Sequence, residues 1–380
     1  MNKYKNVLFI TLLILYPGCK NEKYQPEITT PEIKIEESFT QNRFIRLSEL
    51  VDGYIEYVPL ETGENIIDGS PRIYVSNNNI LVFAFRQILL FNRENGNFIK
   101  EIGKFDRGPG GYMATGFIFP FDPIRNTCFA IGWDGSNIEY SLEGDILGKI
   151  IRPEGSTSLA TLNDSTYIAY IRNFSGNEER RLVVFNNEDV IKTFPNHKIA
   201  NPGRIVNGAY NGWFYRFREE LCFFESLTDT IYSVTENDLI PRYVLQMGKY
   251  APPYEKQNAV SFYELQNYIH VTKIFESQNF LLFEFYHEKS SSQGVYNKVT
   301  MSTYMAGDSN GFENDIDEFF PLKFTSVSSH GELIGFIEAW KIEQWFRENP
   351  DKATQLPPHL KKLENITEND NPVVMIARLK

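Results

Sequence analysis

Short apolar runs separated by polar turns follow one another through most of the chain. One phrase recurs, in which an apolar run ends in an aromatic residue and a polar turn leads into a second apolar run. Its copies are ILLF-NRENG-NFIKEI, IEY-SLEGD-ILGKI, LVVF-NNED-VIKTF and DTIY-SVTENDL-IPRYVL. The aromatic residues that end the first runs are spaced by 49, 45 and 47 residues, at Phe91, Tyr140, Phe185 and Tyr232. A strand-rich repeat of this length is typical of one four-stranded blade of a β-propeller.

Further apolar runs supply the other strands of each predicted blade, bounded mostly by Asn, Asp, Gly or Pro. In the first four units these runs are RIYV and ILVFAF, FIFPFD and CFAIG, SLATL and TYIAYI, and GWFYRF and ELCFFES. A fifth unit begins at Val271 and a sixth at Phe324. Gly96 and Gly144 stand in turns that favour a positive φ. The pattern therefore predicts six blades.

The sixth unit contains a predicted helical insertion at about residues 338–365. The spacing of one amphipathic helix face, i, i+3, i+4, i+7 and i+8, is found at Ile337, Trp340, Lys341, Gln344 and Trp345. We expect Trp340 and Trp345 to pack against the propeller through this face. His359 to Glu364 is the candidate for a short second helix after Pro357-Pro358.

Two strands precede the first complete unit, FIRL (44–47) and IEYVPL (55–60), and the chain ends in a third, VVMIARLK (373–380). None of the three has a hairpin of its own. Pairing them with the sixth unit would close the ring and remove an exposed sheet edge. The predicted fold is an all-β, six-bladed β-propeller over residues 43–380, closed by its N- and C-terminal strands.

The N-terminus has the pattern of an export signal. Lys3 and Lys5 precede a short apolar run, VLFITLLIL, which is too short to span about 30 Å of hydrocarbon. Gly18-Cys19 then resembles a bacterial lipobox, although Tyr16 and Pro17 depart from its usual residues. We predict a signal peptide at 1–18, a lipidated Cys19 and a flexible, charged tether at 19–42. An ordinary secretory leader cleaved near the same place is the alternative.

Composition and charge narrow the possible partners. The 380 residues carry a net charge of −11, so a basic footprint for nucleic acid is missing and we expect no nucleic-acid partner. Three cysteines cannot form a disulfide scaffold. Cys128 and Cys222 stand inside apolar strands and are predicted to be buried free thiols, with a disulfide between them as the alternative.

Several phrases together carry a family resemblance. They are IEYVPLET, GKFDRGPGGY, LTDTIYSV, GFENDID and ENDNPVVMIARLK, spread from about residue 43 to 380. In this order, behind the lipobox-like leader, they resemble the six-bladed β-propeller lipoproteins of Bacteroidota. Gly111 stands where the family pattern has Glu. The resemblance implies a propeller exported to the cell envelope and implies no activity.

Two segments have the composition of ligand-binding loops. The glycines at 103–111 precede a predicted strand rather than a helix, so we interpret them as a turn between blades and not as a phosphate loop. The second segment is acidic: Asp308, Asn310, Asp315, Asp317 and Glu318. Its spacing fails the EF-hand pattern, and a solvated loop between blades is favoured over an irregular calcium site.

Local catalytic motifs are absent from the sequence. No HExxH, GxSxG or CxxC occurs, and the five histidines are far apart. We therefore predict no catalytic residue, no metal ligand and no cofactor, with a structural or channel calcium left open. Trp133 and Trp213 lie near turns, and we interpret them as core or rim packing rather than as a sugar platform.

The leading functional hypothesis is a noncatalytic outer-membrane lipoprotein that binds an envelope protein or a glycan through one face of the ring. Its membrane partner would be reached through the lipid anchor. A hydrolase or lyase centred on the channel, with ligands from several blades and a possible need for calcium, is the alternative. A structural scaffold in a larger envelope assembly is the third hypothesis. The ligand-binding residues are not defined by the sequence.

Overall fold

The computed structural model describes residues 30–380 except 40, 42, 68, 116–119, 203–211, 257, 259–264 and 307–309. The predicted signal peptide, Cys19 and the tether up to residue 29 therefore lie outside the described residues. The first described elements are β1 (Glu32–Ile33), α1 (Ile35–Phe39), α2 (Leu47–Leu50) and β2 (Val51–Pro59).

Six sheets follow in chain order, and together they form a six-bladed β-propeller. The strands of the first blade are β3 (Arg72–Val75), β4 (Asn79–Phe83), β5 (Ile88–Asn92) and β6 (Phe98–Glu101). Those of the second are β7 (Tyr112–Ala114), β8 (Phe121–Asp122), β9 (Thr127–Gly132), β10 (Asn137–Ser141) and β11 (Ile146–Ile150). Those of the third are β12 (Ser156–Thr161), β13 (Tyr167–Ile171), β14 (Arg180–Phe185) and β15 (Val190–Pro195).

The remaining blades carry the longer connections. The fourth has β16 (Gly212–Phe217), β17 (Glu220–Glu225), β18 (Thr230–Val234) and β19 (Leu239–Leu245), followed by single 3₁₀ turns at Gly248–Tyr250 and Tyr254–Lys256. The fifth has β20 (His270–Glu276), β21 (Phe280–His287), β22 (Ser290–Asn297) and β23 (Ser302–Met305). The sixth has β24 (Phe324–Val327), β25 (Glu332–Ile337) and β26 (Val373–Leu379).

Short helices separate β25 from β26, where the sequence predicts the insertion. They are α3 (Ala339–Glu348), α4 (Pro350–Ala353), α5 (Pro358–Lys361) and a 3₁₀ turn at Lys362–Asn365. The predicted packing face is only partly right: the buried residues of α3 are Ala339 and Ile342, and of the two predicted tryptophans only Trp345 packs against the core. Trp345 packs on Phe319 with ring centroids 4.7 Å apart. Trp340, by contrast, is 50 % exposed.

The ring closes through the sixth blade. Strand β26 lies between β25 and β2, and it pairs antiparallel with both. The register places Ile55 opposite Ala377 and Pro59 opposite Val373, as the sequence predicts. The other predicted N-terminal strand, 44–47, is wrong: its last residue begins α2, and the segment makes only isolated bridges at Arg43 and Arg46.

The expected tether is too long, because residues 30–39 belong to the folded body; we call them the N-terminal strap. Strand β1 pairs parallel with β19 and adds a fifth strand to the fourth blade. Ile33 and Ile35 are fully buried. Phe39 then packs on Tyr250 and His287, with ring centroids 4.8 and 4.7 Å away. The charged residues between these apolar side chains gave the segment the composition of a linker.

The buried core consists largely of the side chains that face neighbouring blades. Of the four repeating aromatic residues, Phe91, Tyr140 and Phe185 are at most 2 % exposed. The two predicted turn glycines have positive φ angles, +74° at Gly96 and +91° at Gly144. Cys128 and Cys222 are buried free thiols, which confirms the prediction.

Candidate functional site at the channel mouth

The first strands of successive blades surround a central channel. Contacts join β12 to β16, β16 to β20, β20 to β24 and β24 to β3. At the end where first and second strands are joined by turns, the channel widens into a cavity of about 310 Å³. All six blades line it, through Tyr74, Val75, Phe121, Pro123, Ile124, Ser158, Gly212 to Arg218, Phe275 to Gln278, and Val327 to Gly331. A volume of this size lies at the lower end of small-molecule sites, which run from about 300 to 1,000 Å³.

Aromatic rings form much of the cavity wall. Trp213 of β16 donates its indole N–H to the carbonyl oxygen of Ile274 at 2.8 Å, which fixes the ring orientation. Phe275 of the next blade packs edge-on against it, with ring centroids 5.6 Å apart. Tyr74, Phe121 and Phe217 complete the apolar wall. The interpretation of Trp213 as packing therefore holds in part, since the same ring also faces the cavity.

One carboxylate on the wall, Glu276, is fully committed to protein partners. Arg242 donates to both of its oxygens at 2.9 Å, and the Lys298 ammonium lies 2.6 Å from Oε1. The hydroxyls of Tyr215 and Tyr243 add hydrogen bonds of 3.1 Å each. Burial alone would raise the pKa of Glu276, but Arg242 and Lys298 together hold this pKa below its usual range. A carboxylate saturated in this way is unsuited to accept a proton from a substrate.

A second buried pair lies beside the wall. Asp122 is 0 % exposed, and its Oδ1 accepts the backbone N–H groups of Ile124 and Arg125. Its Oδ2 lies 3.9 Å from Nη2 of Arg216, beyond hydrogen-bond distance. Burial lowers the pKa of Arg216, and the Asp122 charge opposes that shift.

Arg216 makes two backbone hydrogen bonds from a side chain that is only 7 % exposed. Nη2 donates to the carbonyl oxygen of Thr161 at 2.6 Å, and Nη1 donates to that of Glu219 at 3.3 Å. The Nε–H is sealed from solvent and meets no acceptor among the described residues. The guanidinium is thus held in place with part of its donor capacity unused.

The rim of the cavity is polar and comes from exposed turns. Arg218, in the turn after β16, has a φ of +57° and donates to the side-chain oxygen of Gln278. His330, in the turn after β24, lies 3.3 Å from the Ser329 hydroxyl. The positively charged groups of Arg218, Arg242 and Lys298 lie 5.3, 5.2 and 4.2 Å from the Phe217 ring centroid. Arg242 pairs with Glu276 and Glu220, and Lys298 pairs with Glu276, so among these three cations only Arg218 has no carboxylate partner within the described residues.

The sequence analysis did not identify these residues, although a signal was present. Polar residues stand within one residue of the end of a channel-side strand in four blades, at Asp122, Arg216, Glu276 and Ser328. Equivalent strand ends in a propeller converge on the channel, so polar residues repeated at this register predict a site.

The acidic segment near residue 310 has a structural use. Asp315 accepts the backbone N–H and the hydroxyl of Ser48, at 2.9 and 2.5 Å. Asp317 accepts the hydroxyl of Tyr57, at 3.0 and 3.1 Å from its two oxygens. Asp308 lies outside the described residues. Within the described part of the chain, no three His, Cys, Asp or Glu residues are grouped closely enough to hold a metal ion.

The glycine-rich segment at 103–111 connects β6 to β7, as predicted for a turn between blades. Trp133 lies against it, and the indole N–H donates to the carbonyl oxygen of Asp106 at 2.6 Å. Trp133 is 42 % exposed, consistent with the predicted rim position. None of the helices in the described ranges is both long and apolar enough to cross a membrane.

Solved structures resemble this propeller at low sequence identity. A Bacteroides fragilis protein described as a "putative exported protein" is 17 % identical, with a TM-score of 0.69 over 93 % of this chain and 100 % of that one. This likeness shows the fold. BamB from Moraxella catarrhalis matches with a TM-score of 0.36 and 10 % identity, over 74 % of each chain.

No curated protein matches the sequence. A family model described as a domain of unknown function, DUF4934, matches residues 30–378. This range begins at the N-terminal strap and ends in β26, so it covers the whole closed ring. The chain belongs to the DUF4934 family.

Proposed function

We propose that this protein is a noncatalytic binding module whose ligand enters the cavity at the channel mouth. The observation that carries the proposal is the cavity itself, with an aromatic wall and a polar rim contributed by all six blades. Apolar walls with a few converging polar groups are the usual form of a ligand site.

The state of the carboxylates favours binding over catalysis. A channel-centred hydrolase or lyase needs an acid or base that is free to exchange a proton with its substrate. Glu276 is tied to two cations and two tyrosine hydroxyls, and Asp122 lies behind Arg216. Both carboxylates are therefore placed to hold the wall together and to position the cations.

We further propose that the module is held at the bacterial outer membrane by lipid on Cys19. The lipobox-like leader and the resemblance to Bacteroidota lipoproteins support this anchor. Labelling of the expressed protein with radioactive palmitate tests it. Incorporation should be lost in Cys19→Ala, and label retained in that variant would refute lipidation at Cys19.

The binding proposal is tested by blocking the cavity. Purified protein is screened against arrays of envelope glycans and peptides, and each ligand found is titrated against two variants. Ser329→Trp places a bulky ring at the rim, in an exposed turn. Ser165→Trp makes the same change in the matching turn of the third blade, where the residue does not line the cavity.

We expect Ser329→Trp to weaken binding about tenfold or more, because the ring excludes the ligand, and Ser165→Trp to leave it unchanged. A ligand that binds both variants equally well would place binding elsewhere on the molecule. Finding no ligand in either array would remove the basis of the proposal and favour a structural scaffold.

A further inference from the structure

The walls of the cavity indicate the chemistry of its ligand, and this step rests on the proposed function. We infer that the cavity takes a small, uncharged aromatic molecule of one or two rings. The volume of about 310 Å³ sets the size of this molecule. Its aromatic character follows from the placement of the lining rings, and its lack of charge follows from the ion pairs of the wall.

Two pairs of aromatic rings lie on opposite sides of the channel. Tyr74 of the first blade packs on Phe121 of the second, with ring centroids 5.8 Å apart. Trp213 of the fourth blade packs on Phe275 of the fifth, at 5.6 Å. In a ring of six blades the first lies opposite the fourth and the second opposite the fifth, so the two pairs bound the cavity from both sides. Because aromatic rings favour stacked or edge-on contact with another ring, this arrangement suits a planar aromatic body.

The buried charges at the wall are paired within the protein. Glu276 binds Arg242 and Lys298, at 2.9 and 2.6 Å. Arg216 forms an ion pair with Asp122 at 3.9 Å, and both of these side chains are at most 7 % exposed. A charged ligand in the cavity would therefore lose its hydration without gaining a free counter-charge. The wall thus favours an uncharged ligand over an anion or a cation.

Other polar groups of the lining are exposed or engaged. Arg218 stands in an exposed turn, where water weakens the effect of its charge on the cavity. The hydroxyl of Ser158 donates to the carbonyl oxygen of Gly212 at 2.8 Å, and that of Ser328 donates to Glu332 at 2.9 Å. Hydroxyls used in this way offer little to a sugar, which carries many polar groups of its own. The wall therefore suits a molecule with few polar atoms.

The test is isothermal titration calorimetry of the purified protein with four probes of similar size. They are naphthylmethanol, the naphthoate anion, the naphthylmethylammonium cation and decahydronaphthylmethanol. We expect naphthylmethanol to bind about tenfold or more tightly than either ion, because the ion leaves water without a free partner in the cavity. It should bind about threefold or more tightly than decahydronaphthylmethanol, which has no aromatic face.

The aromatic group can belong to a free small molecule or to the side chain of a peptide, and both present the same ring. Methylindole and N-acetyltryptophan amide share one ring system and differ in the peptide groups attached to it. Tighter binding of the amide would identify a peptide as the source of the ring. Tighter binding of methylindole would identify a free molecule.

Two variants locate the binding. Trp213→Leu removes a ring of the wall and should reduce the preference for naphthylmethanol over its saturated analogue to about onefold. Phe217→Leu, at the end of β16, should reduce this preference in part, and it serves if Trp213→Leu does not fold by circular dichroism. Trp133→Leu makes the matched change in a turn that does not line the cavity, and it should leave the preference unchanged. An equal effect of Trp133→Leu would place the probe outside the cavity and refute the inference.

Three further results would overturn the inference. An ion that binds as tightly as naphthylmethanol would show that the cavity does not exclude charge, while the proposed binding function stands. A saturated analogue that binds equally well would show that the cavity does not select an aromatic ring. Failure of all the probes to bind at millimolar concentration would also refute it. In that case the arrays and the Ser329→Trp variant still decide the proposed function independently.

Discussion

At the scale of single residues, the glycine-rich segment shows why a glycine is favoured at position 111. A Cβ atom at Gly111 would lie 2.3 Å from the carbonyl oxygen of Asp106 and 2.2 Å from its side-chain Oδ1. The segment doubles back on itself here, and the Asp106 Oδ1 accepts the backbone N–H of Gly108 at 2.8 Å. A larger side chain at this position would require a different backbone path.

We therefore expect Gly111→Ala to destabilise the protein by about 1–3 kcal/mol, since backbone atoms must move to accept the methyl group. The free energy of unfolding from urea titration measures the effect. Gly148→Ala is the matched control, because a Cβ there meets nothing within 4 Å. Equal stability of the two variants would show that the segment adjusts without cost.

Glu276 gives the site a predictable response to acid. Its pKa is lowered in the folded state, so its ion pairs contribute stability above the unfolded pKa of about 4.3. That contribution is lost as the pH falls through the lower, folded pKa. At pH 7 we expect Glu276→Gln to cost about 3–5 kcal/mol, because Lys298 loses its carboxylate partner and Arg242 keeps only Glu220.

In unfolding titrations the cost of Glu276→Gln should stay constant from pH 7 to about pH 5 and then shrink as the pH falls below the unfolded pKa of about 4.3 towards pH 3. Glu64→Gln, a substitution at an exposed position, should change stability little at any of these pH values. A destabilisation that stayed constant with pH would show that shape, rather than charge, sets the effect of Glu276→Gln.

At the scale of elements, the N-terminal strap is part of the folded structure, although its charged composition is that of a linker. Ile33 is fully buried under the edge of the fourth blade, and the backbone N–H of Gln246 donates to its carbonyl oxygen at 2.8 Å. We expect Ile33→Ala to lower the free energy of unfolding by about 2–5 kcal/mol. Ile99→Ala, at a 44 % exposed position in β6, should cost much less. Equal small effects would mean that the strap adds nothing to stability.

Elements that repeat could be predicted from the sequence, and elements that occur once could not. The blade hairpins are marked four times by an aromatic residue at nearly constant spacing, so each copy supports the others. The strap occurs once, and its two buried isoleucines stand among charged residues. Two apolar positions are too few to indicate a buried strand or helix. The packing face of α3 was assigned from a spacing that includes Trp340 and Trp345; Trp345 packs against the core, whereas Ala339 and Ile342 are buried and Trp340 is exposed.

The candidate site falls between these two cases. Its residues stand at equivalent strand ends, but they differ in type from blade to blade, as Asp122, Arg216 and Glu276 show. The repeating strand pattern therefore predicts that these residues line the channel. It does not predict their ion pairs, because these depend on distances between blades that the spacing of residues in the sequence does not specify. The structure alone reveals that the Glu276 carboxylate is bound by Arg242 and Lys298, and that the Arg216 Nε–H has no acceptor among the described residues.

At the scale of the whole molecule, closure couples blades that are distant in sequence. Beyond the strand pairing of β2 with β26, Arg93 of the first blade binds Glu332 of the sixth through two hydrogen bonds of 2.7 and 3.1 Å. The strap and α2 reach the fourth and sixth blades from outside. Because these contacts join blades that are distant in sequence, we expect the ring to unfold as one cooperative unit rather than blade by blade.

The two buried thiols can test whether the ring unfolds as one unit. Cys128 lies in the second blade and Cys222 in the fourth, and burial raises the pKa of each to about 12. Because the thiolate is the reactive form, both should resist iodoacetamide at pH 8 until the structure opens. Mass spectrometry of labelled peptides across a urea series gives a midpoint for each cysteine.

Ile376→Ala weakens β26 in the sixth blade, far along the chain from either thiol, and should cost about 2–5 kcal/mol. If the ring opens as one unit, the labelling midpoints of Cys128 and Cys222 fall together and by the same amount. Arg378→Ala, exposed on the same strand, should move neither midpoint. Unchanged thiol midpoints in Ile376→Ala would instead mean that the sixth blade unfolds alone. Pairing of the N- and C-terminal strands would then stabilise the sixth blade without making the other blades unfold together with it.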